Sequence, residues 1–403
     1  MANNTKKKTA WWSLRLPSYY DKTIFLSMLF LLAFGTVMIL SVNAKDAVND
    51  SMAVYKTLLK QLAFFLVGYV GHVILARNFT LKIGKRYSFA VTVFILILCL
   101  SCLFFEHDYG ISAWIPINLG PFTFTIQPSE FLKLAMIVYI SSYLGSLSHK
   151  INYSQNDVLM VPLMILLFTS VVILKQDDFG ALAIIAIITG IICLLTTHPV
   201  LDVFRKTIRA AVAVCVFFVW FLMFSPIGIS VLKAIGDPNS YQIKRFEVAR
   251  NPFSDYLASG WQIVSGLVAI HKGGWQGVGL GNSTYKYGYV PTALTDSILP
   301  IIIEELGVAG FIVIALAYFL ILWKLFSYAW KIQNVTARMI LVGIATYFFI
   351  HFVLNVGGVT GLIPMTGVPL LFISYGGSST LNAMMSLGVA QSIICKIRRG
   401  EIV

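Results

Sequence analysis

Charge is scarce in this chain of 403 residues: Asp, Glu, Lys and Arg make up only 12% of it, roughly half the share in an ordinary soluble domain. Apolar side chains make up 58%. Together the two figures exclude a soluble enzyme, a disordered protein and a nucleic-acid-binding protein. Cysteine is sparse too. All five (Cys99, Cys102, Cys193, Cys215 and Cys395) lie within apolar runs, so no disulfide framework is implied. Cys99-Leu-Ser-Cys102 has CxxC spacing, but no second pair or neighbouring His accompanies it, and it reads as core. No GxGxxG, Walker A or His/Glu zinc pattern occurs, so a nucleotide-driven pump is not encoded here. The ~10-residue alternating segments of a membrane β-barrel are missing as well.

What the chain has instead is long unbroken apolar runs and a mean hydropathy of +0.82. The runs fall at 23–42, 58–76, 88–105, 129–147, 158–174, 180–197, 210–227, 308–326, 338–356 and 378–395. The first exceeds the 7–15 residues of a cleavable signal's apolar region and reads as a retained anchor. The net charge of +13 is distributed unevenly. Lys and Arg crowd the N-terminal tail, 77–86, 205–209, 324–338 and the C-terminal tail, whereas the short alternate loops hold Lys45, Lys56, Lys60 and Lys175. By the positive-inside rule both termini are cytoplasmic. The expectation is an all-α polytopic membrane protein with ten transmembrane helices. Cytoplasmic tails at 1–22 and 396–403 flank a single membrane domain, 23–395, with a large extracellular loop, 228–297, between helices 7 and 8. The apolar stretch 298–326 is too long for one straight span. Pro300 and Gly307 interrupt it, and its first part should re-enter the membrane or lie along its outer surface.

Ionisable groups in hydrocarbon cost about 2.5–3.5 kcal/mol each on insertion scales, so each needs a reason. Glu130 and Lys133 lie three apart on one helix face, as a structural ion pair or a functional one. Ser129 before them suits an N-cap. Asp177 and Asp178 precede the sixth run and suit either helix capping or a cation. Glu304 and Glu305 are neighbours pointing about 100° apart on a helix, with a satisfied inward-facing role as plausible as chemistry. Asp296, where the long loop meets the apolar run, is either a helix cap with Thr295 or a general base. Upstream stand Arg245, Arg250, Lys272 and Lys286, with a glycine-rich run, Gly273 to Gly281, between the last two. Those cations suit a phosphate or pyrophosphate, and the glycines permit close backbone approach to a ligand.

Four stretches, in order, resemble the SEDS family of polytopic cell-wall proteins (FtsW, RodA and SpoVE). They are Trp114-Ile115-Pro116 with Gly120-Pro121-Phe122 and Ile126-Gln127-Pro128-Ser129-Glu130-Phe131-Leu132-Lys133, then Gln176 with Asp178-Phe179-Gly180. The third runs from the Gly273–Gly281 segment through Tyr289, Pro291 and Thr295-Asp296 to Glu304-Glu305-Leu306-Gly307. The fourth runs from Asn355-Val356-Gly357 through Gly361-Leu362-Ile363-Pro364 and Thr366-Gly367-Val368-Pro369 to Ile373-Ser374-Tyr375-Gly376-Gly377. The likeness covers nearly the whole chain. Asn251-Pro252-Phe253, Gly281-Asn282-Ser283 and Asn355-Val356-Gly357 look closer to the FtsW (division) type than to RodA (elongation).

The resemblance implies a peptidoglycan glycosyltransferase that polymerises lipid II on the outer face of the bacterial cytoplasmic membrane. It implies a class B penicillin-binding protein as partner, other division or elongation membrane proteins around it, and no nucleic acid. The family's essential aspartate falls on Asp296, whose role would be to deprotonate or orient the acceptor hydroxyl. Substrate-binding candidates are Glu130, Lys133, Asp178, Arg245, Lys272, Lys286 and Ser374. A divalent cation, Mg or Mn, is compatible with the pyrophosphate chemistry, with no ligands assigned. Several positions depart from the family pattern. Thr292 replaces a Glu, Ser112-Ala113 replaces paired arginines, Asp177 replaces a proline and Ser297 replaces a Phe. Two readings from other classes stand beside the enzyme: a transporter of lipid-linked precursors, and a scaffold that only recruits the penicillin-binding protein.

Overall fold

The computed structural model describes residues 14–44, 52–105, 112–119, 122–148, 154–196, 198–225, 227–235, 241–257 and 260–402. Much of the expected N-terminal tail falls outside the described residues, as do Lys45, Lys150 and Gly120-Pro121. Seven helices run from the N-terminus: α1 (Lys22–Asn43), α2 (Ala53–Asn78), α3 (Leu81–Ser101), α4 (Pro128–Leu147), α5 (Gln155–Leu174), α6 (Phe179–Leu195) and α7 (Asp202–Phe224). Three shorter ones follow, α8 (Gly228–Ile235), α9 (Tyr241–Arg250) and α10 (Trp261–Gly273). The chain closes with α11 (Ile298–Lys331), α12 (Val335–Val359) and α13 (Gly377–Arg398). Between α3 and α4 lies an antiparallel hairpin, β1 (Ile115–Leu119) with β2 (Phe122–Ile126), in which Ile117 faces Phe124.

Among the described residues eight helices are long and apolar enough to cross a membrane: α1 to α5 and α11 to α13. The other two expected runs are helical as well but differ in kind. α6 has 17 residues, and α7 starts eight residues before its apolar run, taking in Asp202, Arg205, Lys206 and Arg209. The segment expected as a long loop is partly helical, being built from α8, α9 and α10.

Local chemistry sets the helix ends. Asp21, Thr80, Ser154, Asp178 and Asn334 each accept a backbone N–H at the start of α1, α3, α5, α6 and α12, the ordinary capping role of short polar side chains. Ser129, expected as the cap of α4, is inside the helix. Gln127 occupies the cap position and Pro128 the first turn, where a missing N–H costs nothing. The axis of the bundle is formed by α4 and α13, whose apolar windows are 78% and 83% buried, against 22% for α2 and α3 on the rim. Gly388 on α13 permits close packing against α2, since a Cβ there would lie 2.6 Å from the His72 carbonyl oxygen. In hydrocarbon, where helices gain nothing from excluding water, such close approach is what holds them together.

α11 is not one rod. Gly307 breaks it with φ 71 and ψ −177, a region that only glycine enters readily. The interruption expected at Gly307 is therefore real, whereas Pro300, in the first turn, causes none.

Candidate active site

Asp296 sits in a tight turn just before α11. Thr295 N and Ser297 N both donate to the Thr292 carbonyl, at 2.9 and 3.3 Å, and Thr292 itself holds a left-handed φ of 50. Three elements grip the turn from outside. Asn355 of α12 donates Nδ2 to the Asp296 carbonyl at 2.8 Å. Tyr375 N donates to the Leu294 carbonyl at 2.7 Å. Gln262 of α10 donates Nε2 to Thr292 Oγ1 at 2.8 Å and to Ser297 Oγ at 2.9 Å. Thr292, standing where the resemblance would have a carboxylate, thus serves as a hydrogen-bond post for the turn.

The helix-cap reading of Asp296 does not hold. The cap position of α11 is Ser297, and no side chain caps it. The Asp296 carboxylate accepts from Thr295 Oγ1 at 3.0 Å and otherwise faces a cleft of about 150 Å³ lined by Lys244, Arg245, Val248, Gln262, Ile263 and Met365. One carboxylate beside two cations is a fitting arrangement for a base that works next to a departing anion. Arg245 was singled out by sequence, and the structure brings it to Asp296. Lys244, Gln262 and Asn355 were not. Lys244 adjoins Arg245 in sequence, and Asn355 begins the Asn355-Val356-Gly357 stretch, but neither signal separates them from their neighbours.

Lys272 and Lys286 stand elsewhere, bound to carboxylates. Lys272 Nζ reaches Glu304 Oε1 at 3.1 Å and Thr284 Oγ1 at 2.6 Å. Lys286, 1% exposed, reaches Glu305 Oε1 at 3.0 Å, the Gly281 carbonyl at 2.6 Å and Ser41 Oγ at 3.3 Å. Glu304 also accepts from the Thr284 N–H at 3.0 Å and from the Ser283 hydroxyl. Glu305 accepts from Ser41 Oγ at 2.8 Å on both oxygens. Two neighbouring carboxylates thereby clamp the 281–286 segment to the first part of α11. The glycine run makes a close backbone approach, but to its own chain. Val278 N and Gly279 N donate to the Glu304 and Glu305 carbonyls at 2.9 and 3.0 Å, and a Cβ on Gly277 or Gly307 would collide with backbone across that junction.

The remaining candidates are tied to structure in different ways. Asp178 caps α6 through Ala181 N at 2.9 Å and accepts from Gln127 Nε2 at 2.8 Å and Ser129 Oγ at 3.2 Å, joining α4 to α6. The Asp177 side chain is exposed and its φ is 57. Ser374 Oγ accepts from Leu370 N at 2.9 Å and braces the loop before α13. Glu130 and Lys133 pair at 2.7 Å with side chains only 5% and 2% exposed. Lys133 Nζ has a second partner that sequence reading passed over, His351 Nε2 at 3.2 Å. Among the described residues no group of three or more His, Cys, Asp or Glu gathers as a metal cage. Asp296 offers one carboxylate in its cleft, a poor donor set for holding a divalent ion by protein alone.

A family profile described as cell cycle protein (FtsW/RodA/SpoVE) matches residues 21–399. The chain is 32% identical over 379 residues to a protein of Trichlorobacter lovleyi named probable peptidoglycan glycosyltransferase FtsW, covering 93% of each. It is 31% identical to stage V sporulation protein E of Bacillus subtilis, over 93% of this chain and 96% of that one. Its fold is similar to a chain from a peptidoglycan synthase complex that coordinates polymerization and crosslinking. There the TM-score is 0.70 and the identity 21%, over 94% of this chain and 98% of the other. RodA of Thermus thermophilus is similar with TM-score 0.63 and 19% identity, over 94% and 98%.

Proposed function

The chain belongs to the FtsW/RodA/SpoVE family, and on that premise we propose that it is a peptidoglycan glycosyltransferase. It polymerises lipid II into β-1,4 glycan at the outer face of the bacterial cytoplasmic membrane, with Asp296 as general base. The observation that carries this reading is the cleft itself. A carboxylate held by its main chain, and not spent on capping, shares a cavity with Lys244 and Arg245.

The chemistry follows from the substrate. An α-linked sugar pyrophosphate that becomes a β-linked glycan inverts its anomeric carbon, so a single displacement suffices. The acceptor 4-hydroxyl oxygen forms the new bond to the anomeric carbon. The bond from that carbon to the pyrophosphate oxygen breaks, and its electrons leave with the lipid pyrophosphate. The hydroxyl proton passes to the Asp296 carboxylate. Lys244 and Arg245 stabilise the negative charge that grows on the leaving group, where fixed cations in a cleft act most strongly. Among the described residues no cluster of His, Cys, Asp or Glu gathers to hold a metal ion.

The partner in this reading is a class B penicillin-binding protein that crosslinks the new strand. The similar chain from a polymerizing and crosslinking complex supports this. The division role is supported by Asn251-Pro252-Phe253 and by relatives that carry the FtsW name.

The test is polymerisation by the purified protein with a matched class B penicillin-binding protein, lipid II and divalent metal, with glycan products resolved by length. Wild type should give ladders, and folded Asp296→Ala and Asp296→Asn none. A well-behaved wild-type complex without ladders would turn the reading toward a lipid-linked precursor transporter. Equal ladders from all three would keep the enzyme and remove Asp296 as its base.

A further inference from the structure

We propose that His351 is a positioning residue for the Asp296 cleft, bridging the buried Lys133 ammonium to the loop that leads into α13 as its Nδ1–H tautomer. The inference rests on the reading of Asp296 as the base and names what holds that base in place.

Lys133 Nζ lies 2.7 Å from Glu130 Oε1 and 3.2 Å from His351 Nε2, in a site closed to solvent. An ammonium has three donors and no acceptor. His351 Nε2 must therefore carry the lone pair, and its proton must sit on Nδ1. Nδ1 faces the Pro369 carbonyl at 3.3 Å, a group that can only accept. One tautomer satisfies both neighbours, and the other satisfies neither. The Tyr347 ring packs edge-on against the imidazole with centroids 4.7 Å apart and keeps it from turning away.

The Pro369 carbonyl is one of two adjacent carbonyls gripped from α12. The other, of Val368, accepts from Asn355 Nδ2 at 2.9 Å, and the same Nδ2 reaches the Asp296 carbonyl at 2.8 Å. His351 and Asn355 are four residues apart and share a helix face. The loop after Gly367 is thus held by two prongs of one helix, and the second prong also holds the base. The first prong is anchored in turn by the buried Glu130–Lys133 pair. Without His351 the Pro369 carbonyl loses its donor and Lys133 an acceptor. The loop can then shift along α12, and the register of Asn355 on Asp296 shifts with it.

Glutamine can accept through Oε1 and donate through Nε2 at once, whereas leucine fills similar space and does neither. His351→Gln and His351→Leu should be compared with wild type in the full-length protein, with lipid II and a class B penicillin-binding protein, after thermal unfolding shows each is folded. The expected result is wild-type kcat within about twofold for Gln, and for Leu a kcat lower by about tenfold or more at unchanged KM, as a displaced base would give. A folded Leu variant with wild-type kcat overturns the proposal, and so does a folded Gln variant as slow as Leu. A second readout needs no catalysis and covers a Leu variant that fails to fold. In wild-type protein labelled with 15N-histidine in bilayers, the resonances lost in His351→Gln should show a protonated Nδ1 and a bare Nε2. The opposite tautomer overturns the bridge. Should wild type make no glycan yet show this tautomer, the bridge is supported and the polymerase reading falls alone.

Discussion

Asn355 holds Asp296 by the main chain: its Nδ2 donates to the Asp296 carbonyl at 2.8 Å and leaves the carboxylate to the cleft. In the proposed reaction, a carboxylate fixed through its backbone and otherwise bonded by Thr295 Oγ1 keeps its remaining lone pairs for the acceptor proton.

Asn355→Leu should therefore separate stability from activity. Two carbonyls, of Asp296 and Val368, lose a shared donor, at a cost of about 1–3 kcal/mol. Thermal unfolding of the purified variant should drop accordingly, and kcat should fall while KM holds. A variant with lowered stability and unchanged kcat would leave Asn355 a packing residue only.

Lys244→Ala and Arg245→Ala test the other side of the cleft. Each should lower kcat/KM by about 10²-fold if it stabilises charge on the departing pyrophosphate. Lys272→Ala is the contrast, since its partners are Glu304 and Thr284 and it does not line the cleft. Steady-state polymerisation rates on lipid II decide between them. A larger kcat/KM loss from Lys272→Ala than from either cleft residue would place the pyrophosphate elsewhere.

Lys286 and Glu305 form a pair with side chains 1% and 0% exposed. Lys286→Met alone leaves a buried carboxylate short of its cation and should destabilise by about 3–5 kcal/mol. Lys286→Met combined with Glu305→Leu should recover part of that loss, as a double-mutant cycle on detergent-purified protein would read. A double variant no more stable than the worse single one would show that the serine and backbone donors, not the lysine, satisfy Glu305.

Gly307→Ala should be worse than Gly288→Ala. Both glycines hold positive φ, 71 and 99, so both substitutions carry backbone strain of about 1–3 kcal/mol. Only at Gly307 would the new methyl also meet backbone, that of Trp275 and Gln276, whereas Gly288 has open space. Thermal unfolding and yield of folded protein should rank the two in that order.

Much of this was legible before any coordinates. Eight of the ten apolar runs are helices long and apolar enough to cross a membrane, because hydrocarbon tolerates little else, and the stretch 298–326 was visibly too long for one span, its break falling at Gly307 and not at Pro300. Asp296 stood out as a carboxylate where the long loop meets an apolar run, and the structure sets it in a cleft beside Lys244 and Arg245. What sequence could not resolve was distant pairing. Spacing paired Lys133 with Glu130, three residues before it, but Lys272 and Lys286 read as free cations, because their carboxylates, Glu304 and Glu305, lie far along the chain. The glycine run looked like a ligand cradle for the same reason: a loop that closes on α11 and one that closes on a phosphate need the same missing side chains. His351 lay unremarked inside an apolar run, although an ionisable ring there was as costly as the residues that drew attention.

The break at Gly307 and the clamp beside it also bear on how the protein is made. Synthesis is vectorial, so Lys272 and Lys286 leave the ribosome before Glu304 and Glu305. The acidic pair therefore meets counter-ions already waiting for it and need never sit bare in lipid. A chain rearranged so that the 261–286 segment followed α11 would bring Glu304 and Glu305 to the membrane before Lys272 and Lys286 existed to pair with them.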